Sequence, residues 1–151
     1  MTNVKHAVKH KAQTKNYNGG PISLEMLLDF HRIPYKAAAL EKMCEATPTH
    51  GTSNAALVRA AESFGATIVV KENASTDDLI KALRRGRPVL VNYFNPITRV
   101  GHFGIVKGIE VDSVIFADPK NGDDYMLTFR DFENAWHSHD KTHRSWMMHI
   151  A

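Results

Sequence analysis

Gln13-Thr14-Lys15-Asn16-Tyr17-Asn18-Gly19-Gly20-Pro21-Ile22-Ser23-Leu24-Glu25-Met26-Leu27-Leu28 is the stretch around which the rest of the chain is ordered. A polar run leads into Gly20-Pro21. Ile22, Leu24, Met26, Leu27, Leu28 and Phe30 then follow at a density suited to a buried helix. Proline fits the first helical position, where its missing N–H has no intrahelical partner to lose. The helix should stop near His31, because Pro34 disfavours helical backbone at Ile33.

Two more helices are predicted downstream. Tyr35 to Glu45 places Ala37, Leu40, Met43 and Cys44 on one apolar face. A loop over Thr47 to Thr52 precedes Ser53, which can cap a helix through Leu57, Val58, Ala61 and Phe64, stopped by Gly65. Ala66 to Val70 reads as a strand. Ser75 or Thr76 caps a fourth helix, Asp77 to Arg85, with acid at its start and arginine at its end as the helix dipole favours. From there the pattern turns to strands: Pro88 to Phe94, His102 to Ile109, Val114 to Asp118 and Tyr125 to Phe129. Asn121-Gly122 is a hairpin-turn signal before the last of these. Arg130 to Trp136 is a short helix or turn, and Trp146 to Ile150 a closing strand. Helices first and antiparallel strands second predict an α+β fold, with the N-terminal helices packed on a C-terminal antiparallel sheet.

Composition bounds the function. A length of 151 residues fits one domain, expected over residues 13–151 behind a loosely ordered basic arm at residues 1–12. Hydrophobic residues at 43% and charged residues at 23% argue against general disorder. The single cysteine excludes an intrachain disulfide. A net charge of +3 is too weak, without a clustered patch, to predict a nucleic-acid partner. The first residues lack the apolar core of a secretory signal. No run approaches the ~18 apolar residues of a membrane span. A cytoplasmic location is expected.

The first chemical signal is the hairpin of His102–Ile109 with Val114–Asp118. Counted outward from its short turn, His102 and Asp118 reach the same open end. A carboxylate beside an imidazole fixes the tautomer and stabilises the charged ring, as a general base requires.

With Gln13 to Leu28, this hairpin resembles the papain-like cysteine peptidases, closest to the bacteriocin-processing, double-glycine-leader peptidases and their freestanding relatives. In that family a glutamine precedes the nucleophilic cysteine by six residues, and the cysteine opens a buried helix and is followed by glycine. Gln13 and Gly20 match. The resemblance continues through Gly51-Thr52-Ser53, Gly86-Arg87-Pro88-Val89-Leu90, Gly101-His102-Phe103-Gly104-Ile105-Val106 and Asp118-Pro119-Lys120-Asn121-Gly122. It implies a papain-like fold, a thiol-protease activity hydrolysing a peptide bond, His102 as general base and Asp118 as its orienter.

The departure lies at the nucleophile position, which is Gly19. Glycine has no side chain, so no acyl-enzyme can form there. A cysteine at a helix N-terminus beside a histidinium would be activated as thiolate. The Gln13 amide and the residue-19 N–H would donate to the oxyanion. Two readings stand: a peptidase whose nucleophile has been replaced, and a natural pseudopeptidase that keeps the cleft as a non-catalytic peptide-binding module.

Other candidates read more simply. Cys44 lies on the apolar face of the second helix and reads as a small buried hydrophobe. Ser23 reads as a helix-surface residue with no base. His137, His139, Asp140 and His143, with His149 beyond, match no closed metal site and read as a solvated loop. The lysines and histidines of the arm read as a solvated run. No cofactor and no metal is expected. A peptide or protein substrate is expected, with a separate transporter as possible partner, since the chain has no membrane span and no phosphate-binding Gly-rich loop of the ATPase type.

Overall fold

A computed structural model describes residues 3–95, 98–138 and 140–151. Among the described residues, seven strands form one antiparallel sheet: β1 Val4–Lys5, β2 Ile68–Lys71, β3 Val89–Asn95, β4 Val100–Glu110, β5 Ser113–Asp118, β6 Gly122–Thr128 and β7 Met147–Ile150. Five helices pack on it: α1 Gly19–Phe30, α2 Ala37–Cys44, α3 Asn54–Ser63, α4 Thr76–Arg84 and α5 Phe129–Ala135. The strand order is β2-β7-β3-β4-β5-β6, with β1 on β4. The α+β architecture is as expected from the sequence.

Alternation along the central strands makes two cores. Leu90 of β3, Ile105 of β4 and Ala117 of β5 face α1, α2 and α3. Val91, Tyr93, Val106 and Phe116 face the other way, onto Leu79 and Leu83 of α4 and Phe132 of α5. Helix α1 is buried over nearly all of Gly20 to Leu28, as a helix apolar on most of its circumference must be. Caps fix the other helix starts. The Ser53 side chain accepts from the Ala56 N–H, and Ser75 and Asp78 form a reciprocal capping box at α4.

Three local expectations are corrected. Helix α1 begins at Gly19, so Pro21 is its third residue. Met43 points outward at 42% exposure, leaving Leu40 and Cys44 as the buried face of α2. Residues 3–12 are not a loose arm. β4 runs past the start of β3, and β1 fills the vacant edge, pairing Val4 with Ile109 and Lys5 with Gly108. The His6 N–H donates to the Lys107 carbonyl at 2.8 Å, Val8 is buried, and the Lys11 ammonium pairs with Glu25 and Asp29 of α1. Gly108 permits this docking, because a Cβ there would run into the Val4 carbonyl and the Lys5 backbone.

Candidate active site

The site is built where the first turn of α1 meets the outer end of β4. Gly20 sets the approach. A Cβ on it would lie 3.1 Å from Thr52 Cβ and 3.3 Å from Phe103 Cδ2, so any larger residue would push these neighbours back by a few tenths of an ångström. His102 is the next residue of that strand. Asn18, the N-cap, turns its side chain back into the loop: Nδ2 donates to Thr14 Oγ1 and Oδ1 accepts from the Lys15 N–H, both at 3.0 Å. The helix carbonyls are engaged from Asn18 onward, starting with the bond from the Ile22 N–H.

Gln13 arrives from the docked N-terminal segment. Its N–H donates to the Pro119 carbonyl at 3.0 Å, and three residues earlier His10 Nε2 bonds the Asp118 carbonyl at 2.8 Å. The segment is thereby tied to the turn after β5. The Gln13 side chain then reaches residue 19: its Nε2 donates to the Lys15 carbonyl at 2.8 Å, which turns Oε1 to within 2.9 Å of where a Cβ on Gly19 would sit.

On the sheet, His102 pairs directly with Tyr93 of β3, and their rings lie 5.6 Å apart at 36°. His102 Nε2 is 3.3 Å from Thr98 Oγ1. Asp118 ends β5 and is fully buried beside Gly104, where a Cβ would stand 2.9 Å from Asp118 Oδ2. Asp118 Oδ1 accepts from the N–H groups of Lys120 and Asn121, at 3.0 and 2.8 Å. Oδ2 accepts from the Tyr93 hydroxyl at 2.6 Å, and that hydroxyl accepts in turn from Asn121 Nδ2 at 2.7 Å.

His102 and Asp118 are thus brought to one end and one face of the sheet, but no hydrogen bond joins them. Ile105 pairs with Ala117, which sets Asp118 beside Gly104, two residues inward from His102. Tyr93 reaches across β4 and takes the carboxylate oxygen. Burial lowers the His102 pKa; the Asp118 charge works against that shift and Lys120 adds to it. Burial first, then the Asp118 charge, pushes the Tyr93 phenol far above its ordinary range, so it stays a donor.

The remaining candidates lie elsewhere. Cys44 is fully buried in the α1–α3 core, and burial pushes its thiol up to about 12. Ser23 is a core residue and not a surface one; its hydroxyl has no hydrogen-bond partner among the described residues. In the tail, His143 Nδ1 bonds Glu72 Oε1 at 2.6 Å, His137 Nδ1 bonds the Ser138 carbonyl, and His149 Nδ1 the Ile150 carbonyl. His139 lies outside the described residues. Among those described, no group of three or more His, Cys, Asp and Glu side chains is placed to hold a metal.

The Gln13 side chain meets Gly19, the first residue of a buried helix. The peptidase C39 family model matches residues 7–139. The chain belongs to the peptidase C39 family.

Solved structures share this C39 fold. A double-glycine-motif protease from an AMS/PCAT transporter, in complex with the leader peptide, superposes with a TM-score of 0.77 at 16% identity, covering 97% of this chain and 93% of that one. A C39-like peptidase from Bacillus anthracis gives 0.82 at 16% identity, over 100% and 98%. The peptidase domain of Streptococcus ComA, a bi-functional ABC transporter, gives 0.78 at 20% identity, over 95% and 98%. No curated protein sequence matches the chain. Among the described residues of this C39 chain, no helix is long and apolar enough to cross a membrane.

Sequence reasoning passed over Tyr93, Asn121 as a side chain, and Gly104. Tyr93 sits in an apolar strand and reads as core. Its hydroxyl was the signal, since a buried phenol needs a partner.

Proposed function

We propose that the surface around Gly19 binds an extended peptide, and that the chain is a C39 scaffold for peptide-bond hydrolysis of the leader-processing type, without turnover in this sequence because Gly19 occupies the nucleophile position. The observation that carries this reading is the convergence of the Gln13 amide on Gly19 at the first residue of α1. A thiol on that residue would attack the scissile carbonyl carbon and form a thioester as the amine leaves with a proton from His102. Water would then hydrolyse the thioester. A half-turn of the Gln13 amide exchanges Oε1 for Nε2 and makes it an oxyanion donor beside the Gly19 N–H. Without the sulfur no thioester forms, and a bound peptide remains whole. The solved relatives support the leader-type substrate, one being a protease bound to its leader peptide and another a transporter's peptidase domain. In this reading the chain works in the cytoplasm beside a separate transporter.

The second reading, a pseudopeptidase that binds peptides without cleaving them, is favoured by the surroundings of the histidine. His102 lacks a carboxylate bond and burial lowers its pKa, which favours the neutral ring where a thiolate partner would need it charged.

Calorimetry with an intact leader peptide ending in paired glycines, and with its two cleavage fragments, separates these readings. A replaced peptidase holds the intact peptide more tightly than either fragment, because its binding energy spans the scissile bond. A binding module holds the intact peptide and one fragment equally. In Gly19→Cys, the introduced thiol should react with iodoacetamide faster than Cys44, and His102→Ala should slow it. No binding of any leader-type peptide, together with ordinary reactivity of the introduced thiol, refutes the site.

A further inference from the structure

We propose that Tyr93 is the positioning residue of this site: its hydroxyl holds the Asp118 carboxylate back from the His102 imidazole while its ring packs against that imidazole, so the carboxylate acts on the imidazole across space and not by a direct bond. This deepens the reading of His102 as the site's base and rests on it.

The strand order makes the arrangement possible. Tyr93 lies on β3 and Asp118 on β5, with β4 between them. A side chain at residue 104 would stand in the path of the carboxylate, and Gly104 leaves that path open. Tyr93 is itself held without freedom to wander. It is buried at 1% exposure, its ring packs 5.2 Å from the Phe116 ring, and its oxygen accepts from Asn121 Nδ2. Asp118 is equally fixed by the two backbone N–H groups of its own turn. The carboxylate accepts three hydrogen bonds, two on Oδ1 and one on Oδ2, and none of these donors is His102.

The charged and titratable groups that bear on His102 are Asp118 from β5, Lys120 from the following turn and Tyr93 from β3. Of these, only Asp118 favours the imidazolium, and the Tyr93 hydroxyl takes up one of its oxygens. Removing that hydroxyl leaves Oδ2 buried with no donor. The protonated imidazole two residues away then becomes the available partner, and an opposite charge at close range favours the charged ring.

NMR titration of the His102 ring in the unaltered chain, Tyr93→Phe, Asp118→Asn and the double variant tests this. The midpoint is expected to rise in Tyr93→Phe by about one unit, a tenfold gain in proton affinity. It should fall in Asp118→Asn, and the rise should vanish in the double variant. A midpoint unchanged within about 0.2 unit in Tyr93→Phe overturns the proposal, as does a rise that survives in the double variant. A merely structural tyrosine would not couple its effect to Asp118. The unaltered chain supplies a second reading that needs no variant to fold. The Tyr93 hydroxyl proton should exchange slowly and show cross-relaxation to the Asn121 side-chain amide. A strongly deshielded imidazole N–H proton, the mark of a direct Asp118 bond, refutes the role. Calorimetry fails independently of these titrations. Loss of peptide binding with the coupled shift intact removes the peptidase reading alone. A null titration with peptide binding intact removes only the role of Tyr93.

Discussion

Adding one methyl group at residue 104 should cost far more than adding one at residue 19. In Gly104→Ala the new Cβ stands 2.9 Å from Asp118 Oδ2 and 3.1 Å from Phe116 Cδ1. Neither neighbour yields cheaply. Asp118 is pinned by three accepted hydrogen bonds, and Phe116 is packed between Tyr93, Tyr125 and Phe132. Overpacking of this kind costs about 1–3 kcal/mol. If the carboxylate gives way instead, a hydrogen bond to a charged group is lost, at about 1.5–3 kcal/mol. A loss of about 2–5 kcal/mol is expected when both happen in part. For a chain of this length that lowers the thermal midpoint by roughly 5–15 °C. In Gly19→Ala the Cβ meets only Gln13 Oε1, the far end of a flexible side chain that can swing away. That change should stay within about 0.5 kcal/mol. Urea unfolding followed by the fluorescence of the buried Trp136 and Trp146 measures both variants. A Gly104→Ala protein that loses less than about 1 kcal/mol, or no more than Gly19→Ala, would refute the tight packing of β4 on β5 around the carboxylate.

Gly108→Ala should detach β1 without unfolding the sheet, so amide exchange at residues 4–6 accelerates at least about tenfold while Val89 to Val91 keep their protection; a uniform change across the chain argues against a separately docked segment. Asp78 is held down at about 2, first by the Ser75 backbone N–H of the capping box and then by Lys71. Its folded value lies below the unfolded one, so its contribution is complete above about pH 4 and is lost as pH falls through about 2. The stability gap between the unaltered chain and Asp78→Asn should therefore close over that window, and a gap independent of pH would contradict the capping assignment.

The order of elements was legible because local chemistry and tertiary demand agree. Ser53 and Ser75 cap the helices they were expected to cap, Gly65 and Gly86 take left-handed backbone where helices end, and Asn121-Gly122 opens β6. β1 was not legible. Two residues carry no periodicity, and what makes Val4–Lys5 a strand is the uncovered stretch of β4 together with the bare α-carbon of Gly108. Ser23 misled for a similar reason, since a polar residue on an apolar helix suggests an outward face only while the helix has one. The direct bond expected between His102 and Asp118 is missing for a reason outside the hairpin count. The irregularity in β4 between Val106 and Gly108 sets Asp118 beside Gly104, on the face of His102, where an even count would set it beside Ile105. Such a shift changes which residues stand opposite each other, and Tyr93, one strand away, supplies the donor that a hairpin count cannot contain.

The supports of the site do not pass through residue 19. Gln13 is delivered by a backbone bond to Pro119, Asp118 by its own turn and Tyr93, His102 by its pairing in β4, and the start of α1 by the fit of Gly20 against Thr52 and Phe103. A nucleophile's sulfur would add only a side chain to a place the backbone already defines. Its absence therefore carries no structural penalty of its own, and the site can persist whether the glycine arose for binding or replaced a working thiol. What residue 19 decides is chemistry alone. In the proposed reading, a hydrogen there leaves no group to attack a carbonyl, so a bound peptide bond is expected to stay whole.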